Sequence, residues 1–219
     1  MSVIKDSRFI WSSAEPPPRN CFVSFEKQFA YSGSAACELC LFADTRFRLW
    51  VNGTFVAYGP ARFVTQYPEY ERYDLRPFLQ DGENHLRVEV NFYGCSSFQT
   101  MPDGVPGFIA GGGTEDGAVD FATPGDWRAR VHAAAWRWDA PLFSFAQNPA
   151  EICDTRALQA ELADPGLSGS VRVLAGGDVP WGELRERAVA YPDYVPVTPS
   201  RITAAGSLVP SRTYGFQTF

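Results

Sequence analysis

The side chains able to do chemistry gather in two stretches of this chain. Between Gly59 and Arg72 the sequence GPARFVTQYPEYER reads as a long loop, broken by Pro60 and Pro68, and it carries Glu69 and Glu71 with Asp74 close behind. Hydrolysis of a glycosidic bond needs two carboxylates set apart across that bond. Carboxylates crowded on one exposed loop are commoner as solvated charges, so no catalytic residue is assigned. The same loop offers Arg62, Tyr67, Tyr70, Arg72 and Tyr73, and the loop after Phe92 adds Tyr93 and Phe98. Aromatic faces bury the apolar C–H groups of a pyranose ring, while neighbouring cations form charge-assisted hydrogen bonds to hydroxyls. Loops of a β-sandwich cluster at the sheet ends, which would bring these two stretches together. Arg62, Tyr67, Tyr70, Arg72, Tyr73 and Tyr93 are therefore the candidate carbohydrate-binding set. Packing against loops or a partner domain is the commoner use of such rings.

The remaining reactive groups stand alone. His85 begins a strand, and His132 has no nucleophile or acid beside it in sequence, so neither reads as part of a Ser-His-Asp set or a metal site. Cys37 and Cys40 form one C-x-x-C without a second ligand pair or a thioredoxin-like βαβ context, and read as two residues of the strand ACELCLF. With Cys21, Cys95 and Cys153 the count is five, odd and irregularly spaced, which argues against a disulfide framework. Gly111-Gly112-Gly113 is not a phosphate cradle, because no helix and no Lys-Ser/Thr follows it. The Asp116 to Asp120 loop offers carboxylates and carbonyls for a structural Ca²⁺, but it does not match an EF-hand; no other cofactor is expected. A net charge of -6 over 219 residues argues against a nucleic-acid partner. No apolar run approaches the ~20 residues of a membrane helix. The start, MSVIKDSRFIW, lacks the apolar core of a signal peptide, so a cytoplasmic location is expected.

These groups must be carried by strands. Aromatic content of 15% and hydrophobic content of 45%, with 19 Gly and 17 Pro spread as turn punctuation, point to a β-sandwich or barrel. The organising element is Arg46 to Pro60, RFRLWVNGTFVAYGP, two strands joined by Asn52-Gly53. A type I′ turn needs positive φ at both central residues, and Asn-Gly meets this at low cost. The turn also explains Asn52-Gly53-Thr54 better than its match to a glycosylation sequon does. Direct pairing out from the turn opposes Val51 to Thr54, Trp50 to Phe55, Leu49 to Val56, Arg48 to Ala57 and Phe47 to Tyr58. Phe47, Leu49, Val51, Val56 and Tyr58 would then form an inner face, and Arg48, Trp50 and Phe55 an outer one. Asn20 to Ala30 alternates imperfectly and predicts a strand with a bulge or bend. His85 to Phe92 alternates cleanly, with Leu86, Val88, Val90 and Phe92 inward and Arg87, Glu89 and Asn91 outward. Further strands are expected near residues 8–11, 35–43, 107–110 (ending in the three glycines), 118–122, 127–131 and 171–174. A helix is expected over 154–162, and 132–150 is ambiguous. From Tyr191 onward Pro192, Pro196, Pro199 and Pro210 imply a linker or a wrapping tail.

Read in order, several stations resemble one family. Trp50 to Pro60 resembles the strand-turn-strand of the N-terminal β-sandwich of bacterial α-L-rhamnosidases, of the glycoside hydrolase family 78 type. Asp74-Leu75, Leu79, Gly82 and Asn84 are similar to its D-L-x-x-x-L-x-x-G-x-N passage. Gly107-Phe108, Asp116-Gly117 and Trp127-Arg128 resemble its later stations, and Pro180 to Arg187 the segment leaving the sandwich. The similarity covers roughly residues 9 to 190. It implies an accessory domain: in that family hydrolysis takes place in a separate (α/α) helical barrel, which this length does not accommodate. The family's catalytic residues therefore have no positions here.

The expected architecture is an all-β, jelly-roll or galactose-binding-like β-sandwich over residues 8–190, with 191–219 a linker or the start of a following domain. The expected role is a non-catalytic module for carbohydrate recognition, of rhamnose-containing sugar, or for docking the catalytic domain of the same parent chain. A structural or protein-interaction sandwich without a sugar site is the alternative, and an autonomous small enzyme is a third. The outward Arg48, Trp50 and Phe55 form an apolar patch of the kind that marks interfaces, here for the following catalytic domain or a second copy of the chain.

Overall fold

The structure is a computed structural model that describes residues 4, 6–15, 17–33, 35–98, 104–142, 144 and 146–206, the side chain of 167 apart. Its strands are β1 (Ile10–Ser12), β2 (Cys21–Tyr31), β3 (Cys37–Asp44), β4 (Arg46–Val51), β5 (Thr54–Gly59), β6 (Glu69–Asp74), β7 (Gly82–Phe92), β8 (Gly107–Thr114), β9 (Arg128–Val131), β10 (Val171–Val173) and β11 (Arg185–Glu186), with one α-helix, α1 (Thr155–Ala163). They form two sheets, of order β10-β1-β8-β3-β6-β11 and β5-β4-β7-β2-β9. The sheets face each other through Trp11, Phe25, Phe92, Phe108 and Trp127. Phe25 stacks on Phe108 at 4.5 Å, and Trp11 lies 5.4 Å from Phe25. This is the expected all-β sandwich.

The Asn52-Gly53 turn forms as its sequence requires, with φ of 50° and 77°. The Asn52 side chain donates to the carbonyl of Phe78 (3.0 Å) and to Asn84 Oδ1 (2.8 Å), and its own oxygen accepts from the amide of His85 (2.9 Å). The hairpin tip is thereby tied to the start of β7. Beyond Trp50 and Phe55 the expected register fails. A shift between Leu49 and Trp50 pairs Leu49 with Ala57, Arg48 with Tyr58 and Phe47 with Gly59. The reason lies at Gly59: a Cβ there would sit 2.5 Å from the Phe47 ring and 2.5 Å from Glu71. Only glycine fits opposite Phe47, and one extra residue in β5, a β-bulge, brings it there. Ala57 completes the inner face, Val56 at the bulge is partly buried against the same core, and Tyr58 joins Arg48 outside.

Other expectations also change. β2 pairs with β7 without interruption from Cys21 to Tyr31, so no bulge explains its irregular pattern. Instead both of its faces are buried over Cys21–Phe25, and from Glu26 onward only one is. Gly111, Gly112 and Gly113 do not end β8 but lie within it, opposite Cys40, Leu39 and Glu38. Residues 118–122 contribute one bridge, Gly113 to Asp120, rather than a strand. The described residues of 132–154 form isolated bridges but no strand or helix; His132 and Trp136 lie over the outer face of the five-stranded sheet, and the segment leads into α1, which Asp154 caps through the amides of Arg156 and Ala157. Cys37 and Cys40, three apart on β3, point to opposite faces and are fully buried. Burial pushes both thiols up to about 11.

Candidate functional site

The stretch expected to be a sugar-binding loop is partly a strand. Glu69–Asp74 is β6, which places Tyr70, Arg72 and Tyr73 in the sheet rather than at its end. Tyr70 is buried and its hydroxyl donates to Glu186. Arg72 spans Glu38 and Glu186 at 3.2 and 2.9 Å. Tyr73 donates to Glu71, which is fully buried, accepts from the amide of Ala61 and pairs with Arg187. Burial first, then the Glu71 carboxylate, pushes the Tyr73 hydroxyl far up. Tyr93 is buried elsewhere, its amide bonded to Thr45 and its hydroxyl accepting from Asn148. Arg62 and Tyr67 alone of the set are exposed, and Arg185 lies over the Tyr67 ring. Tyr70 and Arg72 meet at Glu186, next to the Arg185 that covers Tyr67, whereas Tyr73 turns to Glu71 and Tyr93 to Thr45 and Asn148. Asp74 is clasped by Arg76 at 2.6 Å, which holds its carboxyl below the usual range. Asp116 and Asp120 accept the amides of Ala118 and Ala122, and among the described residues no three His, Cys, Asp or Glu gather as a metal site.

A constellation that sequence spacing did not reveal lies under residues 132–163. Ser24 Oγ is 2.8 Å from His132 Nε2, and His132 Nδ1 is 3.0 Å from Glu161 Oε2. The order resembles a Ser-His-acid triad, but the three are buried by the covering segment. The other oxygen of Glu161 accepts the amides of Ala134 and Ala135. Nearby, Arg130 donates to the carbonyls of Glu161 and Asp164, and Trp136 stacks on Phe22 at 3.8 Å. A nucleophile must reach a substrate; this network instead fastens α1 and its approach to the sheet.

The covering segment stops partway across the sheet. Beyond it, one row of paired residues crosses all five strands of the outer face: Phe55, Trp50, Arg87, Glu26 and Arg128. Beside this row, His85 and Gln28 pair directly. Paired residues share a face, so these side chains form a single surface. Its β5 end is aromatic. Phe55 meets Trp50 edge-on at 6.0 Å, and the Arg87 guanidinium lies 3.9 Å over the Trp50 ring. Its β9 end is an open cleft of about 470 Å³, lined by Glu26, Gln28, His85, Arg128 and Arg130, among others. Arg87 pairs only loosely with Glu89, at 3.7 Å. Burial of the Arg87 guanidinium pulls its pKa down, and burial does the same to the His85 ring. The outward Arg87 was legible in the clean alternation of β7. Gln28 and Glu26 were hidden by the mixed pattern of β2.

Of the outer-face residues expected at an interface, Arg48 is taken up within the chain by Glu89 (3.1 Å), Glu151 and the Trp136 ring. Phe55 is 41% exposed and also meets Tyr194 edge-on at 5.4 Å. Tyr194 and Tyr191 hold the chain after β11 against the sandwich: the Tyr194 hydroxyl bonds Tyr58, and the Tyr191 hydroxyl accepts the amide of Arg72. Past Tyr194, Val195, Val197 and Ile202 are exposed.

No protein-family model matches this chain, and no curated protein matches it significantly. Solved structures do. A GH78 family rhamnosidase of Bacillus sp. GL1 matches with 29% identity and a TM-score of 0.74, over 85% of this chain and 20% of that one. Two α-L-rhamnosidases match at lower identity and show the fold alone. That of Dictyoglomus thermophilum has 16% identity and a TM-score of 0.58, over 82% of this chain and 22% of its own. That of Aspergillus terreus has 18% and 0.57, over 78% and 21%. The chain thus spans about a fifth of the length of the rhamnosidase structures it matches. In fold, and in sequence at the 29% level, it resembles a β-sandwich portion of a GH78 rhamnosidase.

Proposed function

We propose that this chain is a non-catalytic accessory module of an α-L-rhamnosidase-like glycoside hydrolase, serving carbohydrate recognition or the docking of the catalytic domain of the same parent chain. The observation that carries this reading is the match itself: most of this chain corresponds to a small part of a rhamnosidase. The carboxylates support it. Glu71 is buried against Arg187 and Asp74 is clasped by Arg76, so two of the three carboxylates weighed for chemistry are engaged by cations. The exposed apolar residues after Tyr194 favour docking, since they leave the sandwich without contributing to its core.

The experiment has three readings on the purified chain. Titration with L-rhamnose, and with galactose as comparison, is followed by Trp fluorescence. A saturable change at millimolar rhamnose supports recognition, and none up to that range sinks it. Co-elution with a separately expressed rhamnosidase catalytic barrel tests docking. Hydrolysis of an aryl rhamnoside is expected at the buffer rate, and turnover above it would overturn the non-catalytic reading.

A further inference from the structure

We propose that the uncovered half of the five-stranded sheet's outer face, along the row Phe55–Trp50–Arg87–Glu26–Arg128 with Gln28 and His85 beside it, is a platform for an extended neutral oligosaccharide. This rests on the carbohydrate-recognition reading above and gives it a place and a ligand shape.

Three observations converge on this face. The first is hydrogen-bonding capacity left over. In the covered half, Ser24, His132, Glu161 and Arg48 all have partners within the chain. In the uncovered half, Arg128 donates to Ser168 and Glu26 is held by Arg130, but among the described residues no hydrogen bond engages the guanidinium of Arg87, the ring of His85 or the side-chain amide of Gln28. The Arg87 side chain is only 16% exposed, it carries five donors, and its ion pair with Glu89 is at 3.7 Å, longer than a hydrogen bond. A desolvated cation of this kind gains from a ligand hydroxyl that accepts from it. The second is an aromatic end: Trp50 fixes the plane of Arg87, and Phe55 is exposed beside it. Sugar rings offer C–H faces to such rings and hydroxyls to such donors. The third is length. Five strands are crossed by one row, and inter-strand spacing of about 4.8 Å makes that row roughly 19 Å long. A single pyranose would use only part of it, so the surface suits a chain of several sugars. The apolar area, two aromatic side chains, is small for the core of a protein interface, which would normally bury about 800 Å² on each side.

The test uses the whole chain and rhamno-oligosaccharides of one to four residues, followed by calorimetry. Affinity is expected to rise with each added residue. Phe55→Ala is expected to weaken the tetrasaccharide about tenfold, and Gln28→Ala a few-fold. Each variant should unfold at the same urea midpoint as the parent, within error. Binding by the parent that neither variant weakens would place the sugar site elsewhere and overturn this inference while leaving carbohydrate recognition standing. No binding by the parent would overturn both. Normal oligosaccharide binding by Phe55→Ala, together with lost co-elution with a rhamnosidase barrel, would make the face a protein seam and overturn the platform.

Discussion

The outer face of the five-stranded sheet is one surface in two states. The same strands β4, β7 and β2 cross both halves, and polar side chains alternate outward along all of it. Over one half the covering segment lies down and most outward polar groups are recruited: Ser24 and Glu161 by His132, Glu89 by Arg48, and Arg130 by the carbonyls of Glu161 and Asp164, while the Asn91 amide is buried there without a partner. Over the other half that segment is absent: Gln28 is exposed, Trp50, His85 and Arg87 are half-buried, and no hydrogen bond engages the Arg87, His85 or Gln28 side chains among the described residues. Alternation places a polar side chain on a face; the covering segment decides whether it becomes a structural fastening or an open contact. A buried polar group without a partner is costly, so the hydrogen-bonded members of the covered half have little freedom to vary, and the exposed members of the open half, Gln28 and Phe55, have more.

That contrast can be broken by substitution. The largest effect is expected for Glu161→Ala, which strands His132 Nδ1 and the amides of Ala134 and Ala135. Each orphaned buried donor costs about 1–3 kcal/mol, and a loss of about 3 kcal/mol is expected in urea unfolding. A loss below about 1 kcal/mol would show that this carboxylate does not hold the covering segment. Trp136→Ala removes a ring stacked on Phe22 and lying under Arg48. Large-to-small changes at buried aromatics cost about 3–5 kcal/mol when complete. Trp136 is not wholly enclosed, so about 2 kcal/mol is expected, with faster proteolysis of residues 132–163. Ser24→Ala removes one hydrogen bond to His132 and should cost about 1 kcal/mol. An unchanged midpoint would mean His132 is held by Glu161 alone.

The open half should respond weakly. Phe55→Ala is expected to cost no more than about 0.5 kcal/mol, the range of ordinary surface changes. A loss like that of Trp136→Ala would mean the two halves do not differ. The smallest effect concerns pH. Burial lowers the pKa of His85 below its unfolded value of 6.5, so the unfolded chain binds the proton more readily. The resulting penalty is absent above pH 6.5 and grows as pH falls below it, until the folded ring also titrates. Stability should therefore drop slightly from pH 7 to pH 5, and His85→Gln should flatten that drop. An identical slope in both proteins would assign it to other groups.

Much of the sandwich was legible locally. The clean alternation of β7 marked Leu86, Val88, Val90 and Phe92 as core, and all four are buried. The Asn52-Gly53 turn formed as its backbone demands require. The hairpin register failed beyond Phe55 because the reason for the bulge, Phe47 and Glu71 crowding Gly59, spans two sheets. β2 looked bent because its two faces are buried against different partners, the core and the covering segment. The aromatic loop misled for a related reason: Tyr70 and Tyr73 have the composition of a binding loop, yet β11 and the tail turn that stretch into a sheet interior.

By itself, the sequence determined the all-β class, the turn and the inward faces of the best strands. Those follow from backbone conformation and alternation between neighbours a few residues apart. Only the tertiary structure decided which outward residues are fastened and which are free. That depends on contacts such as Ser24 with His132, 108 residues apart, made by an irregular segment whose path no local period encodes.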